Sequence, residues 1–105
     1  MTEREMERAI RDAVGKGGFV FHIRDSRGAP EMADFPDLVV ILPAKRCVLF
    51  LELKSQTRRV TDGQRAVLDA LDACRQVESF VVRPSPLPME ISYARLMNWL
   101  SDEAS

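Results

Sequence analysis

The sequence predicts a single α/β domain over residues 1–105: a mixed four-stranded sheet flanked by helices, in the order α-β-β-β-α-β with a C-terminal helix. Two apolar runs, Leu38-Val39-Val40-Ile41-Leu42 and Cys47-Val48-Leu49-Phe50-Leu51, are joined only by Pro43-Ala44-Lys45-Arg46, short enough for a hairpin. A helical pattern of about a dozen residues then precedes Phe80-Val81-Val82, and a crossover of that length makes this last strand parallel to the one before the helix. The chain also opens on an amphipathic helix, which supplies a layer to cover the sheet.

That first helix runs from Thr2 to about Lys16, with Met6, Ala9, Ile10, Ala13 and Val14 on one face. Thr2-x-x-Glu5 has the form of a capping box, and Gly15, Gly17 and Gly18 end the helix. Glu3 projects into the apolar stripe, about 50° from its centre at 100° per residue, and Glu7 lies farther out on the flank of the same face. Both acids also favour the positive end of the helix dipole, the more economical account of Glu7. Phe19-Val20-Phe21-His22-Ile23 follows as a strand, and Arg24 to Phe35 as a long polar loop of the kind that often carries function. Thr61-x-x-Gln64 is a second capping box, opening a helix whose Val67, Ala70, Leu71 and Cys74 form the expected buried face. Pro84, Pro86 and Pro88 hold the chain extended before a last helix from about Ser92 to Leu100, with Tyr93, Leu96, Met97 and Leu100 inward.

With 46% hydrophobic and 30% charged residues among 105, the chain has a globular composition and length enough to bury a core unaided. No apolar run approaches the roughly 20 residues of a membrane span, and the charged N-terminus is unlike a signal peptide, so a soluble, cytoplasmic protein of a bacterial or phage-infected cell is expected, with no membrane partner. Cys47 and Cys74 lack metal-type spacing and are expected to be small core residues. A net charge of -1 opposes nucleic-acid binding. The basic residues nevertheless collect at Arg24 and Arg27, at Lys54, Arg58 and Arg59, and at Arg65, where they either serve a site or merely solvate loops.

Asp37 opens one apolar run, and Glu52 and Lys54 close the next. Side chains alternate along a strand, so Glu52 and Lys54 share a face while Leu51 and Leu53 take the other. Two carboxylates able to hold a hard divalent cation, beside a lysine, suit metal-assisted phosphodiester hydrolysis. A phosphodiester is already anionic, so its attack requires charge neutralisation, an oriented water and a stabilised leaving oxygen.

The order of these features, an inward Glu3, His22-x-x-Asp25-Ser26-Arg27, Phe35-Pro36-Asp37-Leu38, Glu52-Leu53-Lys54, Thr61-x-x-Gln64 and the Arg83-Pro84 exit, resembles the virus-type replication-repair nuclease (VRR-NUC) family of PD-(D/E)xK nucleases. The resemblance runs from Glu3 to about Pro84 and implies a compact restriction-endonuclease-like core. It implies Asp37 and Glu52 as ligands of Mg²⁺ or Mn²⁺, with the Leu53 carbonyl and Glu3 as further ligands. Lys54 and Gln64 join them as catalytic residues, although capping alone also accounts for Gln64. His22, Arg24, Ser26, Arg27, Arg58 and Arg59 would contact DNA, and His22 alternatively is a packed strand residue. The implied activity is metal-dependent DNA cleavage leaving a 5′-phosphate and a 3′-hydroxyl, on branched DNA such as a Holliday junction. A homodimer is expected, using Leu87, Met89, Ile91 and Trp99 unless these pack on the core, together with a helicase or replication partner. The alternative is a catalytically weak or inactive nuclease-fold subunit for DNA binding or assembly. Asp34 stands where the family carries Gly before Phe-Pro-Asp, and Gln56-Thr57-Arg58-Arg59 where a Gly usually follows Glu-x-Lys.

Overall fold

The computed structural model describes residues 1–23, 32–74, 77–85 and 90–101. Three helices, α1 (Glu3–Val14), α2 (Asp62–Asp72) and α3 (Tyr93–Leu100), surround five strands. The strands are β1 (Phe19–His22), β2 (Leu38–Leu42), β3 (Cys47–Leu53), β4 (Val77–Arg83) and β5 (Ile91–Ser92). They form one sheet in the order β1-β2-β3-β4-β5. The β1–β2 and β2–β3 pairs are antiparallel, β3–β4 and β4–β5 parallel. The parallel β3–α2–β4 unit is the crossover expected from the sequence. The fifth strand is a correction: Ile91 and Ser92 pair with Val82 and Arg83 before Ser92 caps α3, a strand too short to leave an alternating pattern.

Both capping boxes form. Thr2 Oγ1 accepts from Glu5 N–H at 3.1 Å while Glu5 accepts from Thr2 N–H at 3.0 Å, and Thr61 and Gln64 repeat the arrangement. Gly15, at φ 57°, turns the chain out of α1. Between β2 and β3 a 3₁₀ turn over Pro43–Lys45 closes on Arg46, which takes a left-handed φ of 52°.

One face of the sheet, carrying Leu38, Val40, Leu42, Leu49, Leu51 and Leu53, packs with Met6 and Ile10 of α1 and with Leu96 and Leu100 of α3. On α2 the buried residue is Leu68, with Val67 and Leu71 half-buried, whereas Ala70 and Cys74 are exposed. The buried stripe is thus rotated by about one residue from the expected one. Ser79 fixes the phase, its hydroxyl lying within donating distance of the Leu68 carbonyl (2.9 Å) and Asp72 Oδ1 (2.8 Å) while its N–H donates to Asp72 Oδ1 at 2.9 Å. Cys74 lies beyond the helix and is no core residue; Cys47 is half-buried. The first helix differs in the same way at Ala13, which is exposed. Among the described residues no helix is long and apolar enough to cross a membrane.

Candidate active site

Asp37 reaches the site from the start of β2. Phe35 packs edge-on against Phe50, ring centroids 5.7 Å apart, Pro36 is fully buried, and Ile23 N–H donates to the Asp37 carbonyl at 2.7 Å. The antiparallel register pairs Leu38 with Leu51, so one residue further Asp37 stands opposite Glu52 on the same face. Asp37 Oδ2 accepts from Leu53 N–H at 3.0 Å, tying the start of β2 to the end of β3.

Glu52 and Lys54 are only 3% and 4% exposed. Lys54 N–H donates to the Val82 carbonyl at 3.0 Å, extending the β3–β4 ladder past the end of β3. Its Nζ lies 3.7 Å from Glu52 Oε1, and Gln64 Nε2 donates to the same oxygen at 3.5 Å. Gln64 makes the capping contact and a second one besides: its carbonyl oxygen caps α2 through Thr61 N–H while its amide reaches Glu52. The other carboxylate oxygen, Glu52 Oε2, is buried without a hydrogen-bond partner.

Burial, and next the Asp37 charge, push the Glu52 carboxyl up to about 8. Asp37 is raised too, chiefly by burial, with Glu3 adding repulsion and the Leu53 N–H and Glu52 pulling the other way. Side by side, the two acids resist ionising together and favour holding a proton between them. An orphaned buried oxygen within such a pair fits a hard divalent cation with oxygen ligands. Among the described residues no group of three His, Cys, Asp or Glu side chains gathers at metal-ligand spacing.

Glu3 reaches the neighbourhood from α1, but its Oε2 accepts from Ser55 N–H at 3.2 Å and lies 3.7 Å from an Arg58 guanidinium nitrogen. Glu7, read from the sequence as a dipole residue, instead accepts at 2.8 Å from His22 Nδ1 and at 3.1 Å from Arg11 Nε. Partial burial would raise its carboxyl, but these hydrogen bonds outweigh burial and hold it below the ordinary range. His22 is accordingly an exposed partner of Glu7 rather than a packed strand residue. Arg59 is exposed beside Arg58, whereas Arg24, Ser26 and Arg27, with Pro86, Leu87, Pro88 and Met89, lie outside the described residues.

Arg83, in the sequence part of the Arg83-Pro84 exit, carries a structural role that no local pattern showed. Buried, it donates from Nε to Glu90 at 2.6 Å and from one terminal nitrogen to the Ser55 and Arg58 carbonyls at 3.0 and 2.5 Å. It therefore fixes the segment that follows Lys54. Asp34 sits against the first turn of α2: a Cβ on Gly63 would overlap its carboxylate, so glycine there makes room for the acid that replaces the family Gly. A groove of about 470 Å³ opens beside the acidic pair, lined by Glu3, Arg4, Glu7, Arg8, Arg11, His22, Asp37 and Leu53.

A mixed sheet that brings two facing carboxylates and a lysine to one end of a hairpin defines a domain of the nuclease type. The model of the VRR-NUC domain matches residues 25–85, more than half of the chain, and the chain belongs to this family. The match includes Asp37, Glu52, Lys54, Gln64 and Arg83, while Glu3 and His22 precede it. Comparison with curated proteins and with solved structures returned no match.

Proposed function

We propose that the domain is a Mg²⁺- or Mn²⁺-dependent DNA endonuclease acting on branched DNA, such as a four-way junction, as a homodimer. The observation that carries this reading is the pairing of Asp37 with Glu52 across the hairpin, with Lys54 Nζ 3.7 Å from Glu52 and Glu52 Oε2 left unpartnered. Asp37 and Glu52 would hold the cation, joined by the Leu53 carbonyl; when bound it supplies charge neutralisation at the scissile phosphate and a more acidic water. Lys54 contributes a buried positive charge beside these acids, placed to orient the attacking water or to offset charge developing on the phosphate. Gln64 holds the Glu52 carboxylate in place, and Arg83 holds the segment after Lys54.

The dimer reading moves from its expected location. Ile91 and Trp99 pack on the core of their own chain. Phe19 and Phe21, stacked 6.2 Å apart on edge strand β1, are instead 59% and 52% exposed. A second copy pairing there about a two-fold axis would satisfy the open strand edge and cover both rings.

The test is incubation of the protein with labelled duplex, nicked, flap and four-way-junction DNA, with and without Mg²⁺ or Mn²⁺, alongside Asp37→Asn. Metal-dependent cleavage lost in Asp37→Asn, and fastest on the junction, is expected. DNA binding without cleavage of any substrate would replace the nuclease by the inactive nuclease-fold subunit.

A further inference from the structure

The 470 Å³ groove contains cations that the acidic pair does not use. Arg4, Arg8 and Arg11 recur at i, i+4 and i+7 along α1 and line it together with Asp37 and Leu53. Arg11 is engaged, pairing with Glu7 at 3.1 Å and donating to the Val20 carbonyl at 3.0 Å. Among the described residues Arg4 and Arg8 form no ion pair within 4 Å; Arg8 has only a longer-range attraction to Glu5. The groove's acids, by contrast, each have a donor: Glu7 has His22 and Arg11, Glu3 has Ser55 N–H and Arg58, and Asp37 has Leu53 N–H. The positive charge left to meet a ligand therefore belongs to Arg4 and Arg8.

We infer that Arg4 and Arg8 form a phosphate track along α1, gripping the backbone of a nucleic-acid strand where it leaves the Asp37–Glu52 site. The two arginines lie about 6 Å apart along the helix axis, close enough for both to reach phosphates of one strand. The ligand is a polyanion read through its phosphates, since guanidinium forks suit phosphate oxygens and carry no base preference. This track lies on α1, outside the segment matched by the family model. It deepens the nuclease reading, on which it rests for the identity of the strand.

The test is the salt dependence of DNA binding, measured by fluorescence anisotropy in EDTA so that no cleavage is required. Removing one side chain that neutralises a phosphate lowers the slope of log K against log[salt] by about 0.9. Arg4→Ala/Arg8→Ala is expected to lower it by about 2, Arg4→Lys/Arg8→Lys to retain it, and Arg95→Ala, an exposed arginine on α3, to leave it unchanged. If the wild type binds and the double alanine variant keeps the wild-type slope, or Arg95→Ala lowers it equally, the track is refuted. Cleavage with Mg²⁺, assayed in parallel, separates the two readings. A wild type that cleaves, beside a double variant with unaltered binding, refutes the track alone; a lowered slope without any wild-type cleavage upholds the track and refutes the nuclease. No wild-type binding refutes the track, and no wild-type cleavage refutes the nuclease.

Discussion

Replacing Glu52 by glutamine perturbs the acidic pair at its most strained member. The Glu52 carboxyl is raised from its ordinary 4.5 to about 8, first by burial and then by the charge of Asp37. A raised folded-state value means that the native protein binds this proton more tightly than the unfolded chain. The metal-free protein is then most stable below about pH 4.5, as far as this group is concerned, and loses that contribution as pH rises towards 8. At about 1.36 kcal/mol per pH unit the full span is at most about 5 kcal/mol. Asp37 shares the proton, so roughly half of that, about 2–3 kcal/mol, is expected to respond to Glu52 alone. Against the roughly 5–15 kcal/mol of total stability typical of a domain, this is readily measured. Urea denaturation in EDTA from pH 5 to pH 9 should show wild-type stability falling with pH and a flatter profile for Glu52→Gln, the variant being the more stable at pH 9. Saturating Mn²⁺ should reverse the order, adding about 2.7 kcal/mol to the wild type at 100 times Kd and nothing to the variant. Parallel pH profiles, or an equal Mn²⁺ gain in both proteins, would refute the assignment of Glu52 as a carboxylate waiting for a cation.

Lys54→Ala should slow cleavage by about 10²–10³-fold or more while DNA binding in a gel shift is unchanged; near-normal turnover would remove Lys54 from the mechanism. Arg83→Ala removes the Arg83–Glu90 ion pair and frees the Ser55 and Arg58 carbonyls, so chemical denaturation should report a loss of about 3–5 kcal/mol, and a loss under about 1 kcal/mol would contradict the clasp. Phe19→Ser/Phe21→Ser should shift light-scattering mass from dimer to monomer across a concentration series, whereas a dimer that survives both changes places the contact elsewhere.

The hairpin and the facing of its two carboxylates were legible because strand alternation and a short turn leave little freedom: once Leu38 pairs with Leu51, Asp37 must face Glu52. The capping boxes were legible for a similar local reason. The phase of α2 was not, because Ala70 and Cys74 look as buriable as Leu68 until Ser79 of the adjoining β4 takes the Leu68 carbonyl. Glu7 and His22 lie far apart in sequence, so nothing local announced their hydrogen bond. Arg83 was legible only as part of the Arg83-Pro84 exit, because nothing local to the end of β4 announces what its buried guanidinium holds. Two of its three acceptors, the Ser55 and Arg58 carbonyls, come from one distant segment.

The same segment, Ser55 to Arg58, is grasped from both ends of the chain: Glu3 takes the Ser55 N–H and Arg58 guanidinium, while Arg83 takes the two carbonyls. Loop-closure entropy must be met before such remote contacts can form, so the segment beside Lys54 should be among the last parts of the molecule to order. It follows that residues 25–85, expressed alone, would keep Asp37, Glu52 and Lys54 but lose the α1 half of the grip. The acidic pair and its lysine are spelled within the middle of the chain, and the segment beside them is held jointly by the first helix and by Arg83.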